Sequence, residues 1–193
     1  MIPERLAALR EKMRAYGVDA YLVPTADYHE SEYVGTYFKA RTYITGFTGS
    51  AGTAVITQDE ACLWADGRYF VQAAKELAGT GVTLMKMGQE GVPTVEEYLQ
   101  ANTKEGMTIG FDGRVVNEML GETLEKTLPE RFLSYRSDLI GEIWENRPEL
   151  SAEPVWILEE KYAGQAAAEK IKNLREAMKK AYADVHIITT LDD

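Results

Sequence analysis

The chain has 193 residues, with 31 acidic and 21 basic side chains and a formal charge of −10 at pH 7. That balance excludes nucleic acid as a partner, because gripping a phosphate backbone needs a basic stripe, and it disfavours an anionic membrane surface for the same reason. With 45% apolar and 10% aromatic residues the composition is that of a folded globular protein, and no apolar run approaches the roughly 18 residues of a membrane span. The start, Met1-Ile2-Pro3-Glu4-Arg5, lacks the basic-then-apolar pattern of a signal peptide, and the single cysteine, Cys62, cannot form an internal disulfide. A cytoplasmic location is therefore expected.

In chain order, the spacing of Leu6, Leu9 and Met13 predicts an amphipathic helix over 3–16, followed by a buried strand at 19–24. A long loop and a short helix fill 25–42. A hairpin follows, 53–57 and 61–65, turning at Gln58-Asp59-Glu60. After Asp66-Gly67 comes a helix over 68–78, then a strand at 82–87, a helix at 94–101 and a strand at 108–111. A helix at 115–127, a strand at 132–135 and a short helix at 138–144 complete the series. Strands alternating with helices argue a layered α/β domain, and the hairpin makes its sheet mixed.

The chain also repeats itself. Laid without gaps at an offset of 165, residues 4–28 and 169–193 share eight of 25 positions, where chance would give roughly two. In the second copy Ile171, Leu174 and Met178 mark a helix, and Val185-His186-Ile187-Ile188 marks a strand ended by Thr189-Thr190. Residues 145–154 hold two prolines and three glutamates, which suits a linker. The expected organisation is a first domain over 1–144, a linker over 145–158, and over 159–193 the first helix and strand of a second, related domain.

The residues carry few signatures of chemistry. Only His29 and His186 could offer imidazole, so no zinc site assembles. Cys62 sits inside a strand and reads as a small buried hydrophobe. The run Gly46 to Thr53 has no lysine and precedes a strand, so it reads as a tight turn permitting close backbone approach rather than a phosphate loop or a nucleophile elbow around Ser50. Asp66 and Asp112 each head an Asp-Gly-Arg triplet at a strand end. Two such carboxylates could bind Mg²⁺ in a small nuclease, or each could shape a turn and cap the following helix. The polar and aromatic cluster 25–33 is either a functional loop at a strand's C-terminal end or a hydrogen-bonded loop capping a helix at Ser31.

Three stretches in order, Pro24-Thr25-Ala26-Asp27-Tyr28-His29-Glu30-Ser31-Glu32-Tyr33, Tyr43 to Ala54, and Trp64-Ala65-Asp66-Gly67-Arg68-Tyr69-Phe70, together with Ile143-Trp144-Glu145-Asn146-Arg147-Pro148, closely resemble the N-terminal domain of Xaa-Pro aminopeptidases, within the creatinase/prolidase-like metallopeptidases. The resemblance covers nearly the whole chain. It implies a three-layer α/β/α domain of ribonuclease-H-like topology, followed by a related second domain and a pita-bread catalytic domain. There two divalent metals, commonly Mn²⁺, would activate the water that attacks the bond before proline, so the metal ligands would lie outside this chain and the chain alone would be catalytically silent. The implied partners are peptides with proline in second position and the chain's own downstream catalytic domain, in a homodimeric parent. Carried over residue by residue, Glu32 and Arg68 are the substrate-side or architectural candidates, joined by Asp27, His29 and Arg41. A structural pair, in which Glu32 or Asp66 anchors Arg68, and direct substrate contact both fit the residues. A prolidase or creatinase relative and a free-standing peptide-binding module are the other readings.

Overall fold

The helix over Ile2–Tyr16 (α1) forms because Leu6, Leu9 and Met13 share one stripe and are all buried. It stops at Gly17, where the left-handed backbone (φ 65°) lets Gly17 N–H reach Arg14 O and Val18 N–H reach Met13 O, a closure that a side-chain-bearing residue would strain. The chain then enters β1 (Ala20–Val23) at the centre of the sheet. The computed structural model describes residues 1–188, which fall into two compact units, Met1–Glu149 and the described part of Leu150–Asp193.

In the first unit the remaining elements are α2 (Ala40–Thr45), β2 (Thr53–Thr57), β3 (Ala61–Ala65), α3 (Phe70–Glu76), β4 (Thr83–Lys86), α4 (Val95–Asn102), β5 (Thr108–Gly110), α5 (Glu118–Thr127) and β6 (Phe132–Ser134). The six strands run in the order β4-β3-β2-β1-β5-β6. β2 is antiparallel to both its neighbours, and the other pairings are parallel. Alternate side chains of the central strands enter two cores. Tyr21, Val23, Ala54, Ile56, Leu63 and Ala65 pack with Leu6, Leu9, Met13, Ile44 and Ala73 of α1, α2 and α3. Ala20, Leu22, Val55, Cys62 and Trp64 pack with Tyr98, Leu99 and Leu124 of α4 and α5. The result is the expected three-layer α/β/α arrangement on a mixed sheet. Cys62 is 3% exposed and its thiol pKa is pushed up by burial, as a packing residue's would be.

Several boundaries differ from the sequence expectation for identifiable reasons. α5 starts at Glu118 rather than 115, because the Asn117 side chain accepts the Leu120 N–H (2.8 Å) and fixes the N-cap there. α3 starts at Phe70, because Asp66, Gly67 and Arg68 are taken up by a side-chain-stabilised turn. Ser31 caps no helix; the loop continues to a 3₁₀ turn at Thr36–Phe38 before α2. Residues 138–144 form turns instead of a helix. Trp144 N–H reaches Ile140 O and Glu142 N–H reaches Asp138 O, and the Asp138 carboxylate accepts Gly141 N–H at 2.8 Å as at a helix start, but between them Ile143 N–H bonds to Ile140 O, three residues back rather than four, so no run of successive helical bonds forms.

The second unit contains α6 (Glu160–Ala163) and α7 (Ala167–Lys180). The strand expected at 185–188 does not form, and Val185 and Ile187 are 76% and 77% exposed. An extended segment needs a neighbouring strand to satisfy its backbone, and the described residues of this unit supply none. Thr189 and Thr190, expected to end that strand, and the copy's last residues to Asp193 lie outside the described residues.

Candidate functional site

The pairing pattern gathers the sequence motifs at one edge of the sheet. β1, β3 and β5 run parallel and β2 runs against them, so the carboxyl ends of those three strands and the amino end of β2 lie side by side. The segments 24–33, 46–52, 66–69 and 112–114 all emerge there, at the edge where α/β sheets present ligand-binding loops. Close packing joins three of them. The Thr25 N–H and hydroxyl both donate to Gly52 O, at 3.1 and 2.7 Å. A Cβ on Gly49 would strike the Phe47 ring and come within 2.8 Å of Tyr69, and one on Gly52 would meet Trp64 O at 2.9 Å. The glycine run is therefore the close backbone approach that its sequence suggested.

Asp66 follows β3 directly. Its Oδ1 accepts the Arg68 N–H (3.0 Å) and Nε–H (2.9 Å), and its Oδ2 accepts Nη2–H (2.8 Å). This fork holds the Asp66 carboxyl at a pKa of about 2, first through the Arg68 side-chain hydrogen bonds. It pulls the Arg68 guanidinium further up, through Asp66 first, with Tyr69 and lastly Glu32 adding. The Arg68 side chain is 68% exposed and lies 5.2 Å over the Tyr69 ring. Its Nη1 donors face no protein acceptor among the described residues, so a fixed cation is presented outward, suited to a carboxylate. Beside it the Ser50 hydroxyl shares a 2.6 Å hydrogen bond with the Tyr69 hydroxyl. A cavity of about 190 Å³ adjoins, lined in part by Thr25, Tyr33, Arg41, Thr48 and Ser50.

The five candidates separate clearly. Arg68 is at the surface with Asp66 as its anchor. Glu32 is exposed and influences Arg68 only through its charge; no ion pair joins the two among the described residues. His29 is exposed, and its backbone N–H, with that of Ser31, donates to Asp27 Oδ1, each at 2.9 Å. Asp27 is thus spent on the shape of its own loop. Burial raises its pKa, but the Ser31 and His29 hydrogen bonds outweigh it and the net shift is downward. Arg41 is 3% exposed and points inward. Its Nε–H donates to Thr25 Oγ1 (3.0 Å), Nη1–H to Phe47 O (2.9 Å) and Nη2–H to Gly49 O. Burial lowers its pKa to about 10.

Asp112 repeats the Asp66 turn, its carboxylate taken by the Arg114 N–H and guanidinium at 2.9 to 3.1 Å. β3 and β5 are separated by β2 and β1, so the two aspartates stand about three strand spacings, or about 14 Å, apart. They cannot share one Mg²⁺. Neither caps a helix, since α3 and α5 have Tyr69 and Asn117 at their N-caps. Among the described residues no three His, Cys, Asp or Glu side chains converge so as to hold a metal ion. Sequence reasoning missed the Ser50–Tyr69 pair, for which Tyr69 directly after the Asp-Gly-Arg triplet was the available signal, and the ion network of Asp112, Arg114, Asp138 and Arg147, for which the repeated triplet was.

Comparison with known proteins fits this geometry. A family model described as creatinase/prolidase N-terminal domain matches residues 5–143, and a second with the same description matches 146–193. The probable Xaa-Pro aminopeptidase P of Laccaria bicolor is 42% identical over 98% of this chain and 30% of its own length, and aminopeptidase P2 of Arabidopsis thaliana is 38% identical over 100% and 28%. The crystal structure of X-prolyl aminopeptidase from Caenorhabditis elegans, described as a cytosolic enzyme with a di-nuclear active site, superposes with a TM-score of 0.84 at 35% identity, over 95% of this chain and 32% of that one. The chain thus spans about 30% of the length of these relatives. By its ordered motifs, its sheet topology and the family match over most of its length, the chain belongs to the creatinase/prolidase N-terminal domain family.

Proposed function

We propose that the chain is the non-catalytic N-terminal part of a cytosolic, metal-dependent Xaa-Pro aminopeptidase, and that its strand-edge site helps admit and orient short peptides. The observation that carries this reading is the identity of 36 to 42% across essentially the whole chain with proteins named as such aminopeptidases, of which it corresponds to about 30%. Residues 1–149, which include the nearly buried Arg147, form the first domain, the stretch to 158 a linker and 159–193 the opening of a second related domain. Two divalent ions, of which Mn²⁺ is our candidate, would belong to the rest of a homodimeric parent and there supply the activated water. Within this chain Arg68, fixed by Asp66 and left exposed, would pair with a peptide carboxylate, and Glu32 would hold a free amine or bias Arg68 by its charge. Asp27 and Arg41 would keep the loops beneath them in shape.

The test is to incubate the 193-residue protein, and separately the longer peptidase, with an Xaa-Pro-Yaa peptide and Mn²⁺. Release of Xaa by the longer protein and none above blank by the chain alone is expected. Turnover by the chain itself overturns the reading.

A further inference from the structure

The segment Ile143 to Pro148 belongs to the recognisable motifs, and its Arg147 lines a cavity at the strand edge together with Pro24, Ala26 and Asp112. That side chain reaches back across the fold. The Arg147 Nε–H donates to Tyr37 O at 2.9 Å and its guanidinium lies 3.9 Å over the Tyr37 ring. Nη1 pairs with the Asp138 carboxylate, and both side chains are nearly buried, at 13% and 14% exposure. Asp138 Oδ2 also accepts from Arg114 Nη2 at 3.1 Å. Arg114 grips Asp112 and lies 5.7 Å over the Tyr28 ring.

Tyr28 and Tyr37 bracket the loop that carries Glu32. Each makes an edge contact with Phe38, at 4.7 and 4.9 Å, so the two arginines press on one aromatic cluster. Between Asp27 and α2 this loop has a single 3₁₀ turn, and such a stretch takes its shape from what packs on it. We infer that Arg147 is a positioning residue: through Tyr37 and the alternating chain Arg147–Asp138–Arg114–Asp112, it sets where the 28–38 loop, and hence Glu32, stands beside Arg68. The inference rests on the substrate-handling reading above. The planar fork matters, because one guanidinium spans a carbonyl, a carboxylate and a ring face at once, which an ammonium cannot. The site is also sterically committed, since a Cβ on Gly141 would come within 2.8 Å of Arg147 Nη1.

The test uses Arg147→Lys and Arg147→Met. In the chain, amide exchange is followed at Phe38 and Lys39, which donate to Gly35 O and Thr36 O, with Leu128 of the α5 end, donating to Leu124 O, as control. Loop amides are expected to exchange at least about tenfold faster with the control unchanged. In the longer peptidase the same variants are expected to raise KM for an Xaa-Pro-Yaa peptide by about tenfold with kcat within about twofold. Unchanged loop exchange, or equal acceleration throughout the unit, overturns the inference. So does a loosened loop with unchanged KM when Arg68→Met does raise KM. If Arg68→Met leaves KM unchanged as well, the substrate-handling reading is what falls, and the positioning role falls with it. Should Arg147→Met fail to fold, Arg147→Lys, which keeps the charge and most of the stem, decides alone.

Discussion

Replacing Arg41 by methionine separates a structural role from a ligand-binding one. Methionine fills much the same volume, so the change isolates three donated hydrogen bonds, to Thr25 Oγ1, Phe47 O and Gly49 O. Arg41 is 3% exposed, so its acceptors lose a fixed charged donor and have only water from the adjoining cavity to take its place. A hydrogen bond from a charged donor contributes about 1.5–3 kcal/mol, offset here by relief from burying a cation, so a net loss of about 3–5 kcal/mol is expected. That is a large share of the roughly 5–15 kcal/mol available to a domain. Arg41→Lys keeps a charge but only one short donor group, and should lose about 2 kcal/mol. Urea unfolding followed by far-ultraviolet circular dichroism reads both as a lower midpoint at unchanged slope. A loss below about 1 kcal/mol for Arg41→Met would refute the reasoning, because the 46–52 loop would then stand without its central donor.

Two further outcomes follow from the same edge of the sheet. Gly49→Ala should destabilise by about 2–4 kcal/mol in the same unfolding assay, since the new methyl meets the fully buried Phe47 ring, which has no room to yield. The Asp66 carboxyl should titrate near 2, against 3.8 unperturbed. Because the folded value is depressed, its stabilisation is present above the unfolded value and fades as pH falls toward 2. Carboxyl-carbon NMR should show this titration in the parent chain and a return to the ordinary range in Arg68→Met.

Much of this was legible in the chain itself. The stripe Leu6, Leu9, Met13 and the hairpin 53–65 were readable because periodicity and burial agree there. The turns at 138–144 were not, because the periodic Leu139 and Ile140 are indeed buried while Ile143 N–H bonds to Ile140 O instead of Leu139 O, a backbone choice that hydrophobic spacing does not record. Similarly, 185–188 has a strand's composition, but pairing is a tertiary property and composition cannot supply the neighbour. At the site the motif positions were evident and their division of labour was not. Arg41 and Arg68 are the same residue type in neighbouring motifs, and only the fold sends one inward to carbonyls and the other outward onto Asp66. The Arg147 network joins residues more than a hundred positions apart, beyond the reach of any local pattern.

The most direct test of the central claim, that this region handles substrate without performing the chemistry, is the steady-state kinetics of Arg68→Met in the longer peptidase with an Xaa-Pro-Yaa substrate. Loss of a paired carboxylate contact should raise KM by about tenfold while kcat stays within about threefold. An unchanged KM, or a collapse of kcat at constant KM, would contradict the account.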